Sequence, residues 1–260
     1  MKKVKLCSLF LLMLFLSCSK EEQIEEELSM EVEFLTQKFE VDQAITLNIK
    51  SNQDIFRFGI SKDHEGFYYL SLENYGKSVD ITFSLDKIGR NTIEIFIESK
   101  QKEVLKKSID LDVKKGNSVK IKSLRMVSFP KMNEVWDAEY SNTDINRLAD
   151  LQFRLKKNHI ATSFNKEILF GLKKWHVSDI LFNQGNLTWE LSNKNINIDP
   201  NLKTKFRFGD VDEDGSIIIL YKCFPDCIEF SLKEYIKDKP KKIILKRDDI
   251  DLEIELELEW

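Results

Sequence analysis

Three aspartates at alternate positions, Asp210, Asp212 and Asp214, precede Gly215 in the stretch from Phe206 to Leu220. Carboxylates so spaced repel one another unless a cation or full hydration relieves them. The apolar runs on either side, Phe206/Phe208 and Ile217 to Leu220, read as strands, so the acidic loop is expected to cap a sheet. No other stretch suggests special chemistry as directly. There is no G-x-S-x-G, no HExxH, and no serine with histidine support for nucleophilic hydrolysis. Carboxylates are abundant, but sequence does not set two of them across a sugar ring, so a glycan-processing enzyme stands only as an alternative.

The chain has 260 residues, 42% of them apolar, which is enough for one or two domains with proper cores. Its net charge is −4, where a nucleic-acid binder usually shows a basic domain, so nucleic acid is not an expected partner. Lys2, Lys3 and Lys5 precede the apolar run Leu9 to Leu16, followed by Ser17-Cys18-Ser19. That run is too short to span a bilayer, and the pattern is that of a signal peptide covering residues 1–17. Leu16-Ser17-Cys18 resembles a bacterial lipoprotein lipobox. The resemblance implies cleavage before Cys18, acylation of that residue, and an outer-membrane lipoprotein facing the periplasm or the cell surface. The alternative is an ordinary secreted protein. Residues 18–29 then read as a solvated, charged tether. In such an oxidising setting Cys223 and Cys227, across Pro225, are expected to form a disulfide contributing about 2 kcal/mol. A metal or redox pair would want nearby ligands or CxxC spacing, and His64, His159 and His176 are remote in sequence.

From Met30 onward the pattern has period two. Ile45, Leu47 and Ile49 share one face. Val79, Ile81, Phe83 and Leu85 alternate with Asp80, Thr82, Ser84 and Asp86, and Ile93, Ile95 and Ile97 follow. About seven short strands joined by polar turns predict a β-sandwich over residues 30–116, with the turn Lys114 to Ser118 as its boundary. Lys87-Ile88-Gly89-Arg90-Asn91-Thr92-Ile93-Glu94-Ile95-Phe96-Ile97 resembles the penultimate strand of bacterial immunoglobulin-like and PKD-type domains. That resemblance implies a spacer or protein-binding module without catalytic residues. In the remainder, Leu151 to Leu155, Leu187 to Leu191 and Phe206 to Phe208 read as strands. Asn165 to Gly185 is ambiguous, with a helical turn around Leu172 to Val177. From Ile250 to Trp260 the even positions are apolar and the odd ones acidic, a pattern only a strand can pack.

Asp144-Ile145-Asn146-Arg147-Leu148-Ala149-Asp150-Leu151-Gln152-Phe153-Arg154-Leu155 resembles the first calcium loop and following strand of a C-two domain, the calcium- and phospholipid-binding sandwich known from protein kinase C. Phe206 to Asp212 resembles its other calcium loop, where a strand ends in D-x-D. Ile228 to Ile236, Ile243 to Leu245 and the last strand match its closing hairpin. The resemblance covers roughly Val119 to Trp260, and the domain it implies spans residues 117–260. It implies a second β-sandwich with Asp144, Asp150, Asp210 and Asp212 as calcium ligands, Asp214 following at once. An EF-hand is excluded, because Tyr221 replaces the closing glutamate and Pro225 forbids the following helix. The expectation is an all-β chain of two tandem sandwiches, immunoglobulin-like then C-two-like. Its role would be non-catalytic, calcium-dependent binding of a protein, glycan or lipid, with an envelope assembly protein without metal as the alternative. The bland reading of the acidic loop is simple hydration at a sandwich end. Two further features have bland readings: the lysines of Lys233 to Arg247 suit a solvated turn, and Trp136 beside Asp137 suits a core more than a sugar face.

Overall fold

The computed structural model describes residues 26–62, 67–71, 75–164, 168–184, 186–212, 217–219 and 228–260. Cys18, Asp214, Cys223 and Cys227 lie outside them. The chain is all-β. Its first strands are β1 (Met30–Phe34), β2 (Ile45–Ser51), β3 (Ile55–Lys62), β4 (Phe67–Ser71), β5 (Ser78–Phe83), β6 (Gly89–Ser99) and β7 (Val104–Val113). They are followed by β8 (Val119–Ser128), β9 (Leu151–Ala161), β10 (Ser163–Phe164), β11 (Leu169–Val177) and β12 (Thr188–Glu190). The last are β13 (Asn197–Ile198), β14 (Thr204–Val211), β15 (Ile217–Ile219), β16 (Ile228–Phe230), β17 (Lys242–Arg247) and β18 (Leu252–Glu259).

The strands form antiparallel sheets that enclose two cores. The sheets β1-β2-β5-β10 and β4-β3-β6-β7 bury Ile45, Leu47, Ile49, Phe58, Ile81 and Ile95 between them. The sheets β11-β9-β14-β15, with β16 beside β14, and β12-β8-β18-β17, with β13 beside β8, enclose Leu124, Phe153, Phe206, Phe208 and Ile254. Each is a sandwich, because alternation puts one apolar face on every strand and two such faces must meet.

Strand β18 shows how local pattern becomes packing. Leu252, Ile254, Leu256 and Leu258 are at most 4% exposed. Each contributes roughly 1.5–3 kcal/mol by leaving water. The strand lies between β8 and β17, and its outward glutamates are matched across the ladder. Glu253 meets Lys246 at 2.7 Å; Glu255 meets Lys242 at 3.0 Å and Arg125 at 3.3 Å. An acidic face is therefore tolerated because its neighbours are basic.

The helical turn expected around Leu172 to Val177 is not present; the segment is β11, hydrogen-bonded along β9 from Leu169↔Ala161 to Val177↔Arg154. A register shift between Lys174 and His176 breaks the strand's alternation there, which is why its apolar spacing mimics a helix.

Several contacts tie the two cores together. Ser163 and Phe164 of β10 pair with Thr82 and Ile81 of β5. Lys157 of β9, fully buried, donates to both carboxylate oxygens of Asp42 at 2.7 and 2.8 Å and to the Asn197 carbonyl at 3.2 Å. Its ammonium also lies 4.4 Å from the Trp175 ring centre. Asn195 exchanges hydrogen bonds with the Ile88 backbone at 3.3 and 3.0 Å. The connection between β7 and β8 turns through Gly116 at φ 57°, where an added Cβ would strike the Glu40 side chain.

Candidate functional site

The acidic end of the second sandwich is built by β14. Phe206, Phe208 and Asp210 share one parity and point inward, so the strand's alternation drives a carboxylate to the margin of the core. Asp210 is 2% exposed, and one of its oxygens accepts a 2.6 Å hydrogen bond from the Asp150 backbone N–H. Asp150 opens β9 from the other side, and its carboxylate accepts from the Asn183 N–H at 2.7 Å. The Val211 N–H returns to the Asp150 carbonyl at 2.9 Å, which locks the two strand ends together.

A third group comes from the long connection between β8 and β9. Asp137 joins Asp210 and Asp212, and one carboxylate oxygen from each lies within 4.8 Å of the others. Among the described residues this is the one cluster of metal-ligating side chains. Its loop is held in place: the backbone N–H groups of Trp136 and Asp137 donate to the Arg147 carbonyl at 2.8 and 3.3 Å, and the Trp136 indole N–H donates to the Lys131 carbonyl at 3.0 Å. Trp136 packs on the core beside Phe129, so it is a structural support for Asp137 and not an open stacking platform.

The electrostatics follow from the geometry. Burial pushes the Asp210 carboxyl up to about 6, and the neighbouring charges of Asp137, Asp212 and Asp150 push the same way against the Asp150 N–H. Calcium–oxygen distances of about 2.3–2.6 Å let two ligands of one ion stand up to about 5 Å apart, a spacing that the three carboxylates meet. An all-carboxylate oxygen set of this kind suits a hard divalent cation such as calcium.

The other expected ligands are placed differently. Asp144 accepts from the Asn146 N–H at 2.9 Å and caps the 3-10 turn Ile145–Arg147. Neither it nor Asp150 belongs to the three-carboxylate group, although Asp150 is bonded directly to Asp210. Asp137 lies outside the expected ligand set, because nothing in its local sequence repeats the alternation of Asp210 and Asp212. Its neighbour Trp136, an aromatic in a polar connection, was the available signal.

Remaining candidates resolve into structure. His159 Nδ1 donates to the Gly171 carbonyl at 3.0 Å, and the His176 ring packs on Phe153. Burial lowers the pKa of both. In the basic segment Lys233 to Arg247, Lys242, Lys246 and Arg247 are each paired with a carboxylate.

No family model matches the chain, and no curated protein matches it. Among solved structures it is similar to the fibronectin(III)-like modules of Clostridium thermocellum CbhA. The identity is 12% and the TM-score 0.25, over 72% of this chain and 88% of that one. A likeness at that level defines no shared fold, so the all-β architecture rests on the strands themselves.

Proposed function

We propose that this chain is a lipid-anchored, non-catalytic binding protein whose distal sandwich, of C-two-like type, takes calcium at Asp137, Asp210 and Asp212. The calcium-loaded end would then meet a protein or glycan partner. The observation that carries the reading is the convergence of three carboxylates within 4.8 Å around the nearly inaccessible Asp210. Carboxylates brought this close repel one another, and a divalent cation among them offsets that cost. Few protein ligands on an open end suit the weak extracellular class of site, with Kd of about 10⁻⁴–10⁻³ M.

Thermal unfolding of the full chain with calcium or with a chelator tests this. At 10 mM calcium such a site stabilises by about 1.4–2.7 kcal/mol, a rise of roughly 3–10 °C. Asp212→Ala should abolish the rise. An unchanged melting temperature at 10 mM calcium would remove the metal from the proposal. The tie between the two cores through Lys157 and Asp42 favours the alternative of a rigid assembly protein, which predicts that null response.

A further inference from the structure

The outer face of the sheet β11-β9-β14 carries an arrangement of charge that the calcium reading does not use. Phe153 and Leu155 of β9 and Phe206 and Phe208 of β14 point inward, so the residues between them point out. The register sets Lys174 opposite Lys156, Lys156 opposite Lys205, and Arg154 opposite Arg207. Strands lie about 4.8 Å apart, so these are rows of like charge at close quarters. Directly opposed like charges destabilise a ladder. The contrast is with β18, where Glu253, Glu255 and Glu257 each stand opposite a cation, Lys246, Arg125 and Lys242 respectively. The carboxylate on this face among the described residues is Glu229 of β16, opposite Lys205 and shared with Lys203. The Arg154 Nε finds no hydrogen-bond partner among the described residues. In a chain of net charge −4, this is a segregation of cations onto one surface.

Beside these rows, on the same face of β11, stands Phe170, 65% exposed, with Leu172 at 47%. An exposed ring on the same sheet face as these cations, two rows beyond Lys174 and Lys156, suits an extended polymer that offers both a sugar face and negative charge. Nucleic acid would call for several aromatic platforms along a groove, and among the described residues this face shows Phe170 alone. We propose that the face binds an acidic polysaccharide, with Lys156, Lys205, Arg154 and Arg207 pairing with its carboxylate or sulfate groups and Phe170 against a sugar ring.

The test uses the full chain with chelator present throughout, so that its outcome is separate from that of the calcium site. Affinity electrophoresis is run through heparin, polygalacturonate and neutral dextran, with single-stranded DNA and phosphatidylglycerol vesicles as competitors. Polygalacturonate carries carboxylates alone and heparin carries sulfates as well, so the two together show whether sulfate is required. Retardation by at least one acidic glycan, weakened by salt and absent with dextran, is the expected result. Lys156→Glu places a carboxylate between Lys174 and Lys205, so affinity should fall about tenfold or more, with thermal unfolding checking that the variant keeps its fold, while Arg154→Gln should weaken binding in the same direction. Phe170→Ala should weaken glycan binding at unchanged salt dependence. The proposal is overturned if neither glycan retards the chain, if Lys156→Glu binds as the parent does, or if DNA or vesicles compete the glycan away at lower charge concentration.

Discussion

Asp42→Ala takes away the carboxylate that holds the buried Lys157 ammonium. Both side chains are fully buried, and the two carboxylate oxygens sit 2.7 and 2.8 Å from Lys157 Nζ. What remains for the lysine is the Asn197 carbonyl at 3.2 Å, the Trp175 ring, and Asp86 at 4.0 Å. Asp86 is already engaged by Lys173 at 2.7 Å, so it relieves the stranded charge only in part. Removing one member of such a buried pair costs about 3–5 kcal/mol, and the residual contacts place this case near 3. For a domain of this size that is a fall of roughly 6–12 °C in melting temperature. Urea unfolding followed by tryptophan emission is a suitable assay, because Trp175 adjoins the pair. The double substitution Asp42→Leu with Lys157→Met removes both charges at similar volume and should regain most of the loss. A cost below about 1 kcal/mol for Asp42→Ala, or a double variant as unstable as the single ones combined, would refute the claim that this pair ties the two cores.

Three further outcomes are expected. Asp210 has a folded-state pKa of about 6, above its ordinary 3.8, so its protonation favours the fold below about pH 3.8 and that contribution is lost as pH rises through 6. In chelator, Asp210→Asn keeps an acceptor for the Asp150 N–H and should melt higher than the parent at pH 7.5 but not at pH 4, by scanning calorimetry. Leu256→Ala, at a 1% exposed position opposite Leu124 and Ile243, should cost about 2–5 kcal/mol in denaturant unfolding. Gly116→Ala should lower stability in the same assay, since φ is 57° and its Cβ would meet Glu40.

Much of the architecture was legible because sheets leave a period of two in the sequence. Ile45, Leu47 and Ile49 of β2 and the even positions of β18 are buried as that period requires. Where a strand is covered on both sides the period is lost: β3 buries Phe58, Gly59, Ile60 and Ser61 in succession, so no alternation marks it as a strand. The spacing of β11 suggests a helical turn because only its pairing with β9 fixes its state. Lys157 was detectable in principle, as a cation at the inward parity of Leu151, Phe153 and Leu155, but its partner Asp42 is 115 residues away. The acidic loop advertised Asp210 and Asp212 through their spacing. Asp137 reaches them through a long connection whose path is set by the Arg147 carbonyl, which no local pattern encodes.

The central claim is that Asp137, Asp210 and Asp212 together hold calcium, and isothermal titration of calcium into the full chain addresses it most directly. One site with Kd of about 10⁻⁴–10⁻³ M is expected, weakened at least tenfold in Asp137→Asn and in Asp212→Asn. Titration to 10 mM without binding heat at two temperatures, or an unchanged isotherm in Asp137→Asn, would contradict it.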